Sequence, residues 1–93
     1  MSRTVTKNPK RFRYELTIDG ELLGIAEYVE RGDVVELPHT VIERHHRGHG
    51  LGAVLVQAAL DDVRASGRTV IPTCSYVDEF IATHTDYQDL LAS

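Results

Sequence analysis

From residue 34 to residue 72 the sequence passes through a β-branched stretch, "VVELPHTVI", a histidine- and glycine-bearing loop, an amphipathic run, and a second short β-branched stretch, "RTVIP". This order constrains the chain more than any other feature. In "LGAVLVQAALDDVRASG", Leu51, Val54, Leu55 and Ala58 recur at i, i+3, i+4 and i+7, the period of a helix with one buried face. Val56, Leu60 and Val63 widen that face, and Ser66-Gly67 supplies a helix ending. "RTVIP" is too short for a helix, so it reads as a strand lying parallel to Val34–Ile42 across a helical crossover. Pro72 removes a ladder donor at its end.

Upstream, "FRYELTID" alternates Phe12, Tyr14, Leu16 and Ile18 against Arg13, Glu15, Thr17 and Asp19, the pattern of a half-buried strand. Asp19-Gly20 is a hairpin turn. "ELLGIAEYVE" returns as the next strand, with Gly24 read as a bulge, and "RGD" at residues 31–33 turns into the strand at Val34. Downstream, a second helix is expected from Tyr76 to about His84, then a last turn at "YQDLL". Residues 1–10 read as a polar N-terminal tail. Arg3, Lys7, Lys10, Arg11 and Arg13, half of the ten Lys and Arg residues, then form a solvated basic cluster. The expected fold class is α/β with a mixed sheet, in one domain spanning residues 1–93: an antiparallel meander followed by a β-α-β crossover.

Composition removes several classes of function. A net charge of −4 and a pI near 5.6 argue against nucleic acid or an anionic membrane as the partner. The polar N-terminus lacks the apolar run of a signal peptide, and no stretch reaches the length of a membrane span, so a soluble cytoplasmic protein is expected. The single cysteine, Cys74, serves either packing or thiol chemistry.

The loop itself reads "RHHRGHGLG" from Arg44 to Gly52. A helix N-terminus presents unpartnered amides and the positive end of the helix dipole, and anions bind there. Gly48, Gly50 and Gly52 allow positive φ and close approach to the backbone, while Arg47 adds a cation; the combination suits a pyrophosphate. The dinucleotide fingerprint would need glycine where Ala53 stands, and no G-K-[ST] exists for a P-loop. His45, His46 and His49 lack the further ligands of a metal centre, so no metal is expected there.

Arg47-x-x-Gly50-x-Gly52 resembles the [QR]-x-x-G-x-[GA] coenzyme loop of the GCN5-related N-acetyltransferases. "NPKRF", the "DG" hairpin, "HT" before the loop, "PTCSYV" and "DYQDL" look like a small stand-alone branch of that family, and the resemblance covers residues 8–91. It implies a shortened acetyltransferase fold in which the strands at Thr40–Ile42 and Thr69–Thr73 splay apart around acetyl-CoA, with an amine as acceptor, either a small molecule or a protein. By the same resemblance, Thr40, Val41 and Ile42 pair with pantetheine, Arg47, Gly48, His49, Gly50, Leu51, Gly52 and Ala53 hold the pyrophosphate, and Tyr76 lies beside the coenzyme. Cys74 falls where the resemblance puts the thioester and is the candidate catalytic nucleophile, against the packing role that buried cysteines usually have. Phe80 stands where many relatives carry the tyrosine that protonates the departing thiolate, leaving Tyr76 or His84 as replacements. Glu36 and Glu43 are candidate bases for the incoming ammonium, and His39 lies on the strand leading to the loop. The alternative is a coenzyme A or acyl-CoA binding module without turnover.

Overall fold

The computed structural model describes residues 2–92. Five strands, β1 (Arg3–Asn8), β2 (Arg13–Ile18), β3 (Glu21–Arg31), β4 (Val34–Ile42) and β5 (Thr69–Ile71), lie in the order β1-β2-β3-β4-β5. The first four are antiparallel and β5 is parallel to β4. Helix α1 (Leu51–Ala65) makes the crossover, and helix α2 (Ser75–Thr83) follows β5. Single 3-10 turns cover Arg44–His46 and Thr85–Leu90.

The apolar stripes of α1 account for the packing. Leu51, Leu55, Val56, Ala59, Leu60 and Val63 are buried in one cluster with Tyr14, Leu16, Ala26, Tyr28, Val35, Leu37 and Val70 from the strands and Val77, Phe80 and Ile81 from α2. Full burial of each large aliphatic side chain contributes roughly 1.5–3 kcal/mol. Two of the three core tyrosines are anchored by acceptors that α1 supplies at its rim: the Tyr14 hydroxyl donates to Asp62 at 2.7 Å and the Tyr87 hydroxyl to Asp61 at 2.7 Å. Burial, then these hydrogen bonds, push both phenols above their ordinary range. The opposite face of the sheet, with Ile25, Glu27, Val29, His39 and Val41, is exposed or half-exposed.

Three expectations need correction. Residues 3–8 are not a tail but the edge strand β1, registered from Arg3 opposite Ile18 to Asn8 opposite Arg13. Only Val5 reaches the core side, and charged edge strands carry no strong alternation because their polarity guards the open edge. The basic cluster is accordingly engaged: Lys7 pairs with Glu30 at 3.3 Å and Asp62 at 3.7 Å, and Arg13 with Glu15 at 2.8 Å. Phe12, read as a strand residue, precedes β2 with φ 53° and is 63% exposed.

Two irregularities shape the site. Leu16 opposes Gly24 while Thr17 opposes Leu22, so Leu23 is the extra residue beside Gly24. There a Cβ would come within 2.7 Å of Ile42 Cδ1. Further on, Glu27 opposes His39 while Val29 opposes Glu36, leaving Leu37 and Pro38 against Tyr28 alone. This bulge in β4, with a proline that has no amide to donate, coincides with the end of β5 pairing.

Candidate functional site

β5 pairs β4 only over Val34–Glu36. The last link across the gap is the Cys74 amide donating to the Leu37 carbonyl at 3.0 Å, and beyond it the two segments part. On the other side of β4, the Glu43 amide donates to the Leu23 carbonyl at 2.7 Å. Because antiparallel ladders alternate, the backbone groups of Val41 and His39 then face β3, and those of Thr40 and Ile42 face the opening. The strand thus offers an unpaired edge to a ligand.

The loop is built by short-range forces. The Glu43 carboxylate accepts from the His45 amide at 2.9 Å and from His46 Nδ1 at 2.8 Å, closing the 3-10 turn. The hydrogen bond from His46, then that from His45, holds the Glu43 carboxyl below its ordinary range. Gly48 and Gly50 adopt φ of 84° and 76°, turning the chain so that Gly50 becomes the N-cap of α1. The first helical bond is Val54 N–H to the Gly50 carbonyl. Among the described residues, the amides of Gly50, Leu51, Gly52 and Ala53 donate to no protein acceptor. Arg47 folds beside them, its Nε donating to the Ile42 carbonyl at 3.3 Å. Gly52 has no positive φ, contrary to the sequence reading, and its need is steric. A Cβ there would meet the Tyr76 hydroxyl at 2.8 Å.

Together these pieces enclose a cleft of about 590 Å³. Thr40, Val41, Ile42, Arg47, Gly48, Gly50, Leu51, Gly52 and Tyr76 all line it, joined by His39 and His46. Two of the expected coenzyme residues do not. His49 turns to a separate hollow of about 630 Å³ shared with Arg3, Asp19 and Glu21, and Ala53 lines another with Tyr76 and Phe80.

Cys74 is half-buried at the N-terminus of α2, with Sγ 3.8 Å from Thr40 Oγ1 across the cleft. No histidine or lysine side chain hydrogen-bonds to it among the described residues. Phe80 is buried, stacked on His84 with centroids 3.8 Å apart. His84 Nδ1 meets the Phe80 carbonyl at 2.7 Å, so that nitrogen carries the proton, since a carbonyl can only accept. Of the candidate bases, Glu36 is held below its ordinary range by hydrogen bonds from Thr73 and then Arg31, and Glu43 is held by His46. A carboxylate stabilised in its charged form is a weaker base. Reading Glu43 as a base overlooked its capping role, which its place just before a tight turn could have signalled.

The sequence profile of a GCN5-related N-acetyl-transferase family matches residues 13–90. The fold superposes on the NMR solution structure of a GCN5-like protein from Staphylococcus aureus with a TM-score of 0.74 at 17% identity, covering 97% of this chain and 88% of that one. It also matches the ribosomal-protein-S18-alanine N-acetyltransferase of Escherichia coli (TM-score 0.65, 19% identity, 88% of this chain and 55% of that one). A third match is N-acetylglutamate synthase of Neisseria gonorrhoeae, solved with coenzyme A and N-acetyl-glutamate (0.61, 22%, 78% and 18%). The chain therefore spans about half or less of the larger enzymes it resembles. The splayed strands, the free amides at the head of α1 and the profile match over most of the sequence agree: the chain belongs to the GCN5-related N-acetyltransferases, which draw their acetyl group from acetyl-CoA.

Proposed function

We propose that this protein transfers the acetyl group of acetyl-CoA directly to a primary amine within a ternary complex. The observation that carries this reading is the run of four unpartnered amides, Gly50 to Ala53, opening beside Arg47 into the cleft along the free edge of β4. Amides and guanidinium suit the pyrophosphate, and the backbone of Thr40 suits the amide groups of pantetheine. Acetyl-CoA supplies, when bound, an acetyl thioester already activated for acyl transfer. What the chain must add is orientation, donors toward the carbonyl oxygen, exclusion of water and a path for protons.

Cys74 supports a wall role better than a nucleophilic one, because a thiol becomes reactive beside a base or cation and its neighbour here is the Thr40 hydroxyl. Its position across the cleft favours a second reading, an acetyl-Cys74 intermediate. Dependence on acetyl-CoA fits the cytoplasmic location expected from sequence. Calorimetric titration with acetyl-CoA tests the first reading: saturable one-site binding supports it, and no binding sinks it. Intact mass after incubation decides between the two routes. An acetyl retained by the wild type and absent from Cys74→Ser supports the intermediate, whereas wild-type turnover by Cys74→Ser removes it.

A further inference from the structure

Beside the point where β4 and β5 part lies a groove of about 570 Å³ bounded by Phe12, Tyr28, Val29 and Pro38, with Arg11, Glu27 and Glu30 around it. Phe12 adopts φ 53°, a region that bulky side chains rarely occupy, and its ring stands edge-on to Tyr28 at 6.3 Å while remaining 63% exposed. Core packing does not explain an aromatic kept there, and such outliers gather at ligand sites. Glu27 and His39 are register partners on β3 and β4, so their side chains project side by side from one face of the sheet. Glu27 bounds the groove and His39 lines the coenzyme cleft. Neighbouring residues on paired strands thus line the two cavities, one each.

The other titratable groups around the junction are already engaged. Glu36 is tied to Arg31 and Thr73, Glu43 to His45 and His46, and Glu30 to Lys7 and Arg68. From α2 and its start, Tyr76 overlies Gly52 and Cys74 faces Thr40. Arg11, across the groove, is a cation and no base. Among the described residues, the side chains of Glu27 and His39 make no hydrogen bond or ion pair, and both residues are exposed.

Resting on the acetyl-transfer reading, we propose that this groove receives the acceptor as an ammonium ion on an apolar or aromatic stem, and that His39, with Glu27 beside it, takes the proton that frees the nitrogen for attack. Phe12, Val29 and Pro38 contact the stem, and Glu27 attracts the cation while disfavouring a carboxylate on the amine-bearing carbon. The C–N bond forms as the C–S bond breaks, with its electron pair leaving on sulfur. Of the two protons the ammonium loses in becoming an amide, one passes through His39 to solvent and the other ends on the departing thiolate. Histidine suits this step because its charge changes near neutral pH.

The test uses the full chain with phenethylamine as the aromatic amine, phenylalanine as its α-carboxylate analogue, and mass spectrometric detection of the acetylated product. The expected wild type acetylates phenethylamine at least about tenfold more efficiently than phenylalanine, with kcat/KM rising along a slope-one acid limb. His39→Gln is expected to lose about 10²-fold or more in kcat/KM and to lose that limb. Glu27→Gln removes the negative charge that attracts the ammonium, so it raises KM for the amine. Circular dichroism checks that both variants fold. A wild-type pH profile in His39→Gln or a wild-type KM in Glu27→Gln overturns the proposal, as does acetyl-CoA binding without acetylation of phenethylamine. Failure of the wild type to bind acetyl-CoA instead overturns the acetyl-transfer reading beneath it.

Discussion

Gly52→Ala should separate stability from coenzyme binding. Gly52 is the second residue of α1 and its backbone is helical, so alanine is conformationally favoured; at an interior position the gain would be ~1 kcal/mol, and in the first turn about half that. Against this, the new methyl meets the Tyr76 hydroxyl at 2.8 Å, Cζ at 3.0 Å and Cε2 at 3.2 Å. Relief to an ordinary contact of ~3.5 Å needs a shift of ~0.7 Å at the ring's far end. Tyr76 is 43% exposed and its hydroxyl has no hydrogen-bond partner among the described residues. A swing of under ~10° about its side-chain bonds therefore stays inside one rotamer well at little cost. The net is a gain of ~0.5 kcal/mol or no change, which for a domain of this size is a rise in Tm of about 2–4 °C.

Binding should move the other way. The methyl and the displaced ring both occupy the approach to the four free amides, so the Kd for acetyl-CoA should rise at least ~10-fold, or ~1.4 kcal/mol. Calorimetric titration and thermal unfolding of one preparation read both quantities. A fall in Tm of several degrees with an unchanged Kd would refute the reasoning, because it would mean that the Gly52–Tyr76 contact is structural and lies off the ligand's path.

Gly50→Ala tests the other glycine requirement: nothing lies within 4 Å of its would-be Cβ, but φ is 76°, so a loss of ~1 kcal/mol from left-handed strain is expected in chemical unfolding. Tyr14→Phe deletes the hydroxyl that donates to Asp62 without opening a cavity, and should cost ~1 kcal/mol by urea unfolding; a change near zero would show that bond to be idle. Because the Glu43 carboxyl is held below its ordinary value of 4.5 by the bond from His46, its contribution is fully present above that value. It is lost as pH falls through the lower folded-state value. The protection factor of the His45 amide, taken against its intrinsic exchange at each pH, should therefore fall only below the ordinary carboxyl value of 4.5, and in Glu43→Gln it should be low at every pH. A pH-independent protection factor in the wild type would contradict the pinning role.

Much of this architecture was legible because it rests on local rules. The alternation in β2, the Asp19-Gly20 hairpin and the double stripe of α1 are written in runs of a dozen residues or fewer, and each element forms where its pattern stands. The Arg47-x-x-Gly50-x-Gly52 spacing likewise pointed at an anion loop, and the structure brings most of the expected coenzyme residues to one cleft. The side chains of His49 and Ala53 line other hollows, a direction that the motif's contiguity does not report, while the Ala53 amide stays among the free donors at the head of α1. β1 was missed because an edge strand has one neighbour and little burial to select an apolar pattern, and Phe12 because alternation ignores a residue with positive φ.

By itself, the sequence determined the elements, the turn chemistry and the capacity of one loop to receive an anion, because backbone preference and hydrophobic period act over a few residues. Tertiary structure alone decided the function of several individual side chains. Gly52 owes its smallness to Tyr76, 24 residues later in the sequence. The cleft's apex is set by one bond between Cys74 and Leu37. The pairings of Glu36 with Arg31 and Thr73 and of Glu43 with His46 leave His39, beside Glu27, with no side-chain hydrogen-bond partner at the cleft among the described residues. These roles depend on which groups meet across strand register and helix crossing, and distances along the chain carry no record of that.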